Sequence, residues 1–176
     1  MSPHILVVGG TGMLSGLVEA LAGGDGGRLS LLSRHASSAA GEDGFDCDYY
    51  DAEAFAAALE QALERSGSID LAIAWFHSLK IAAPRLLAEQ VNGRLFQVLG
   101  SATADPGHPD RLARAASVAE GLPACNVRQV VLGFKLARGH ARWLTNAEIS
   151  QGVLEAVNTD RALTIIGQVE PWSARP

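Results

Sequence analysis

Six short apolar runs, at residues 5–8, 29–32, 69–76, 95–99, 127–134 and 163–169, alternate with alanine- and leucine-rich stretches at 14–21, 52–65, 84–91, 110–119 and 146–157. The runs are continuously apolar and do not alternate with polar residues. A strand of that kind is covered on both faces, which is the condition of a parallel sheet with helices on either side. The intervening stretches repeat at helical spacing. The one at 52–65 places Phe55, Ala58, Leu59, Ala62 and Leu63 on one stripe behind a capping Asp51. The one at 146–157 opens with Thr145-Asn146-Ala147-Glu148, a capping-box pattern. A seventh strand, short and polar, is expected at 45–49. Right-handed crossovers then give the order 3-2-1-4-5-6-7. The glycine- and serine-rich stretches at 23–27 and 37–44 read as loops.

The expected fold class is α/β: a single doubly wound domain over residues 1–176, its mainly parallel seven-stranded sheet flanked by helices. No apolar run approaches the ~20 residues of a membrane span. The first residues carry no basic segment ahead of an apolar core, so no signal peptide is read. Cys47 and Cys125 lie far apart without metal-ligand spacing, which fits reduced thiols in a cytoplasmic protein. A net charge of −5 argues against a general nucleic-acid binder.

The first strand ends in "VVGGTGMLSG", where Gly9, Gly12 and Ser15 give a G-x-x-G-x-x-small spacing with Gly16 one residue later. Such a turn is either merely tight or a cradle for phosphates. Its place after the first strand of a Rossmann-type βαβ unit favours the cradle. Gly9 would permit the turn, Gly12 would let a pyrophosphate approach the backbone N–H groups, and a small residue at 15 or 16 would let the helix sit close to the sheet. Thr11, Met13 and Leu14 complete the expected loop. The second strand ends Leu31-Leu32-Ser33-Arg34-His35, without the acid that binds ribose hydroxyls in NAD sites. Arg34 is therefore either a partner for a 2′-phosphate, helped by Ser33, or a solvated loop arginine; the first choice gives NADP over NAD.

With these motifs the chain resembles the short-chain dehydrogenase/reductase superfamily, in particular its small atypical members, over nearly its whole length. "VVGGTGML" is similar to the glycine motif. "CDYYD" at 47–51 is similar to the adenine-contacting segment, which implies roles for Asp48 and Tyr49. "IDLAIAWFHS" at 69–78 stands where the fourth strand and its cofactor-facing motif would lie, implicating Ala74 and Trp75. "LFQVLGSA" resembles the fifth strand and implies a catalytic Ser101. "VVLGF" resembles the sixth strand, with Gly133 at the turn beside the nicotinamide. The resemblance also implies a homo-oligomer pairing through the helices at 84–91 and 110–119, which carry alanine and leucine on one stripe.

The departures matter equally. The family's Tyr-x-x-x-Lys pair is missing: the only tyrosines are Tyr49 and Tyr50, and the only lysines Lys80 and Lys135. Residues 103–123 are too few for the family's catalytic helix and substrate loop. A replacement proton donor is sought at the carboxyl edge of the sheet, where His77 is either a general acid or a histidine bonded to backbone at a strand end. Ser78 and Lys80 stand beside it without an assigned role, and His108 and His140 show no constellation. Two functions remain from the sequence. One is an NADP(H)-dependent oxidoreductase on an unknown carbonyl or alcohol substrate, with His77 and Ser101 in the chemistry. The other is a non-catalytic dinucleotide-binding redox sensor or regulatory protein.

Overall fold

A computed structural model describes residues 2–24 and 27–176; residues 25 and 26 of the expected loop at 23–27 lie outside the described residues. Nine strands and six α-helices follow one another as β1 (His4–Val8), α1 (Ser15–Ala22), β2 (Arg28–Ser33), α2 (Ala36–Ala40), β3 (Gly44–Asp46), α3 (Ala52–Ser66), β4 (Ile69–Trp75), α4 (Ala83–Gln90), β5 (Val91–Gly100), α5 (Arg111–Ala116), β6 (Asn126–Leu132), β7 (Phe134–Ala137), β8 (His140–Trp143), α6 (Asn146–Thr159) and β9 (Leu163–Ile166) among the described residues. Seven strands form one sheet in the order β3-β2-β1-β4-β5-β6-β9, and all its pairs are parallel. This is the expected order, with β9 as the seventh strand.

Successive residues of a strand point to opposite faces. Leu6 and Val8 of β1 enter the core layer under α3 and α4 with Phe55, Leu59 and Leu87, while Val7 enters the layer under α1 and α6 with Leu17, Ile149 and Val153. Burial of two such layers is the main stabilising term, at about 25 cal/mol per Å² of apolar surface. Asp51 caps α3 by accepting from the amides of Glu53 and Ala54 at 3.0 Å each. The capping box of α6 is complete, with the Thr145 hydroxyl accepting from the Glu148 amide and the Glu148 carboxylate from the Thr145 amide. Within the stretches 84–91 and 110–119, which were expected to pair two chains, Leu87, Ala88 and Ala115 are buried in the chain's own core.

Three sequence expectations need correction. The stretch at 37–44 is no loop: it forms α2, a 3-10 turn at Gly41–Asp43 and the start of β3. Its serines misled, because Ser37 donates from both its amide and its hydroxyl to the Asp46 carboxylate, at 2.8 and 2.6 Å, and so pins α2 to β3. These bonds hold the Asp46 carboxyl below its ordinary pKa. The short strand expected at 45–49 is β3 and ends at Asp46 instead of reaching Tyr49, since the Asp48 carboxylate accepts from the Tyr50 amide at 3.0 Å and turns the chain. The apolar run at 127–134 is broken at Gly133, where a Cβ would overlap the Gln168 carbonyl and the chain leaves the sheet to form an antiparallel hairpin of β7 and β8. Among the described residues, no helix is long and apolar enough to cross a membrane, and no cluster could hold a metal ion. Cys47 and Cys125 are free and buried; burial pushes the Cys47 thiol up to about 11.

Candidate functional site

Three concavities run along the carboxyl ends of the strands. The first, about 330 Å³, opens over β1, β2 and β4 and is lined by Gly9, Thr11, Gly12, Met13, Ser33, Arg34, His35, Tyr49, Trp75 and His77. Its floor is the glycine turn, and each glycine there has its own reason. Gly9 has φ +78°, and a Cβ would lie 2.9 Å from the Trp75 carbonyl. Its amide donates to the Leu32 carbonyl at 3.0 Å, tying the turn to β2. Gly10, which the motif reading passed over, is a packing glycine: a Cβ would lie 2.6 Å from Leu31 and 2.7 Å from Val18. Gly12 differs from both, because a Cβ there would meet nothing within 4 Å. The space in front of it is open to a ligand.

The small residue at the helix start works differently from the expectation. A Cβ on Gly16 would lie 3.2 Å from Ser150 of α6, so it is helix–helix approach, not helix–sheet approach, that needs the glycine. Ser150 in turn donates to the Met13 carbonyl at 3.0 Å and fixes the loop from the far side of the sequence. No side chain caps α1, whose cap residue Leu14 is buried in the core and does not line the cleft.

At the end of β2, Ser33 is buried and Arg34 exposed, both facing the cleft. Arg34 has no carboxylate within 4 Å among the described residues. Tyr49 forms a wall, its ring edge-on to Phe76 at 5.3 Å, and burial raises its phenol pKa while the His77 amide partly opposes the rise. The residues implied by the resemblance separate here. Tyr49 and Trp75 line the cleft, whereas Asp48 spends its carboxylate on its own turn and Ala74 is buried within β4.

The second concavity, about 580 Å³, lies between the ends of β4 and β5 and α5; Trp75, His77, Ser78, Lys80, Gly100, Arg111 and Arg114 are among its walls. His77 is exposed and faces both this cleft and the first, its ring 5.6 Å from that of Trp75. The third concavity, about 220 Å³, lies between the ends of β5 and β6 beneath the β7–β8 hairpin and is lined by Gly100, Ser101, Ala102, Leu132, Gly133, Trp143, Leu144, Ile149 and Arg175. His77 and Ser101 thus face different concavities, with Gly100 and Ala102 between them.

Ser101 is 5% exposed, and its Oγ accepts from Nε of Arg175 at 2.8 Å. The Arg175 guanidinium lies 5.1 Å from the ring of Trp143 and 5.1 Å from that of Trp172. Trp143 is held by the hairpin, and Glu148 anchors the hairpin. The Glu148 carboxylate accepts from Lys135 at 2.6 Å and from both terminal nitrogens of Arg142 at 2.9 Å, while also capping α6. These donors hold its carboxyl far below the usual carboxylate range. Sequence reasoning missed Arg175, Trp143 and Trp172 as site residues. Nothing local marked them: Arg175 follows Trp172 by three residues and Trp143 lies far earlier in the chain, and only the fold brings the three together.

The chain carries a net charge of −5, yet among the described residues no aspartate or glutamate lines any of the three concavities. Their charged side chains are all basic, which focuses a positive potential on the carboxyl edge. The arrangement suits an extended anionic ligand lying across the strand ends, the usual place for ligands in open parallel sheets.

No protein-family model matches this chain, and no curated protein matches it in sequence. Solved structures do. The chain superposes on an apo SCOR enzyme from Clostridium thermocellum with a TM-score of 0.66 at 19% identity, covering 95% of this chain and 91% of that one. For a short-chain dehydrogenase/reductase from Serratia marcescens the TM-score is 0.60 at 20% identity, with 93% and 94% covered. For a metagenomic short-chain oxidoreductase in complex with NADP it is 0.58 at 16% identity, with 96% and 97% covered. The protein has the short-chain dehydrogenase/reductase fold.

Proposed function

We propose that this chain is an NADP(H)-binding member of the short-chain dehydrogenase/reductase superfamily, acting as an oxidoreductase on a carbonyl or alcohol with a non-standard proton donor. The observation that carries the reading is the first cleft. Its open space in front of Gly12, beside a buried serine and an arginine that has no carboxylate within 4 Å among the described residues, fits a phosphorylated dinucleotide. Gly9, Thr11, Gly12 and Met13 would face the pyrophosphate, Ser33 and Arg34 the 2′-phosphate, and Tyr49 and Trp75 the adenosine and the path toward β5. When bound, NADPH supplies a hydride to a carbonyl carbon. This chain's residues must then orient the carbonyl and deliver a proton to its oxygen.

Ser101 suits the first task. Its oxygen accepts from Arg175, so its own O–H is left to donate, and a hydroxyl backed by a cationic donor is a stronger donor in turn. That pairing takes over part of the work of the absent phenol and ammonium. For the second task the reading takes His77, which is exposed between the first two clefts and would relay a proton from solvent past Gly100 and Ala102 to the oxygen held by Ser101.

The test is a titration of NADPH and NADH fluorescence with wild type and Arg34→Ala at two salt concentrations. NADPH should bind the wild type at least about tenfold more tightly, because a charge-assisted bond is worth about 1.5–3 kcal/mol. Arg34→Ala should remove that margin and leave NADH unchanged, and added salt should narrow it. Equal affinity for both dinucleotides in the wild type would overturn the NADP assignment. The sensor reading has its own supporting observation, the short α5 region in place of a catalytic helix. Substrate-dependent NADPH oxidation that loses its pH profile in His77→Ala would decide for the enzyme.

A further inference from the structure

We propose that Arg175 holds the carboxylate of the substrate, so that the pocket between the ends of β5 and β6 takes a small oxo acid in preference to a neutral aldehyde or ketone. The inference rests on the oxidoreductase reading for its meaning, though binding alone tests it.

Three contacts fix the guanidinium. Nε donates to Ser101, and the two tryptophan rings lie 5.1 Å from Cζ, which restrains the plane of the fork. An arginine presents five N–H donors, and only one of these is used by the described residues. The terminal pair of nitrogens has no protein acceptor among the described residues. Several other arginines spend their charge on protein carboxylates. Arg142, on the neighbouring hairpin, meets Glu148 at 2.9 Å, and Arg128 meets Asp160 at 3.0 Å. In the larger cleft, Arg111 and Arg114 already face Asp105 and Asp110, at 3.6 and 3.0 Å, so their charge is compensated. Arg175 combines fixed geometry with a charge that no carboxylate balances among the described residues.

A planar, restrained fork selects a planar anion that can accept two parallel bonds, and a carboxylate is that anion. The rest of the pocket is apolar, with Leu132, Leu144 and Ile149 among its walls, and suits the carbon skeleton of the ligand, while Arg175 itself is exposed and would meet the carboxylate at the mouth. The volume of about 220 Å³ sets the size of the ligand to a small molecule. Ser101 gives the second point of attachment. Its free O–H lies beside the same guanidinium, so one short ligand reaches both: a carboxylate on Arg175 and, one or two carbons away, a carbonyl oxygen on Ser101.

Titration of the full chain with malonate at constant ionic strength, followed by tryptophan fluorescence, tests this directly because Trp143 and Trp172 flank the guanidinium. A saturable change is expected in the wild type, weakened at least tenfold in Arg175→Ala and less in Arg175→Lys, which keeps the charge but loses the fork. Dimethyl malonate, the neutral diester, should give no saturable change. NADPH affinity, read from its own fluorescence, should be unchanged in both variants. Equal malonate binding by wild type and Arg175→Ala would overturn the proposal, as would binding of the diester or tighter binding of inorganic phosphate than of malonate. Should Arg175→Ala fail to fold, the malonate–diester contrast and Arg175→Lys still decide. Loss of NADPH binding in the wild type would sink the oxidoreductase reading alone, whereas loss of malonate binding with NADPH retained would sink this inference alone.

Discussion

The two ends of the carboxyl edge are built by opposite means. At the β1–β2 end, the cleft comes mostly from two short segments, residues 9–13 and 33–35, whose shapes follow from turns within one βαβ unit. At the β5–β6 end, the pocket needs β5, β6, the hairpin, α6 and the C-terminal turn together, and the bond joining Ser101 to Arg175 spans 74 residues. A local cradle is written in consecutive letters. An assembled pocket is written in tertiary packing, and its parts carry no shared pattern.

The sharpest way to break that contrast uses two neighbouring glycines. Gly12→Val should abolish dinucleotide binding in a chain that melts like the wild type, since its side chain enters open space. Gly10→Val should instead weaken the fold by about 1–3 kcal/mol or more, because it overpacks against Leu31 and Val18. Calorimetric titration and thermal melting of both variants check the pair; unchanged dinucleotide affinity in folded Gly12→Val would end the cradle reading.

A smaller, regional effect is expected from Glu148→Gln. The substitution weakens the ties to Lys135 and Arg142 and should speed hydrogen exchange in β7 and β8 while leaving the β1–β2 end protected. The pH dependence has a definite sign. The folded-state pKa of Glu148 is depressed, so its contribution is present above the unfolded carboxyl value near 4.5 and is lost only as pH falls through the lower folded value. Exchange protection of the hairpin should therefore persist through mild acid.

The smallest effect comes from His4, which reports on the other half. Its ring is buried, with Nδ1 2.9 Å from the Gly67 carbonyl and Nε2 2.9 Å from the Ser30 hydroxyl, and burial lowers its pKa from 6.5. A lowered histidine pKa favours the neutral folded form. Its stabilisation is present above about pH 6.5 and is lost as pH falls below it, at no more than about 1.4 kcal/mol per pH unit for one proton. Denaturant unfolding between pH 5 and 7 should show this slope in the wild type and a flatter one in His4→Gln.

The same contrast explains what could be read from the residues. Six of the seven sheet strands and five helices were legible because burial on both faces leaves continuous apolar runs, and capping at Asp51 and Thr145 marks two helix starts. The glycine turn was legible because backbone constraints act on adjacent residues. Strand β3 was expected as a short polar strand, but its end at Asp46 and helix α2 were obscured, since Ser37 and Asp46 look like loop residues until they bond to each other. Only the start of the hairpin, Phe134, lay in an apolar run, and nothing local to Gly133 announces that Gln168 will cross it. Arg175 was invisible as a site residue for the same reason: its meaning lies in Ser101, Trp143 and Trp172, which only folding brings to it.

The hairpin also has a place in time. Every pairing in the seven-stranded sheet is parallel and must await a crossover, so it forms slowly from contacts distant in the chain. The β7–β8 ribbon has no such wait. Its turn, Arg138–Gly139, has φ of 51° and 79°, the left-handed pair that matches the twist of a two-residue hairpin. Ribbons of this kind close in about 1–10 μs, whereas sheets dominated by distant pairings take milliseconds to seconds. During refolding the segment that carries Trp143 is therefore shaped early and without a seat. Alone such a ribbon is marginally stable and is held only once β6 and α6 arrive, so Gly139→Val, which would strain that turn, should retard the ordering of the hairpin while sparing the assembly of β1, β2 and β4.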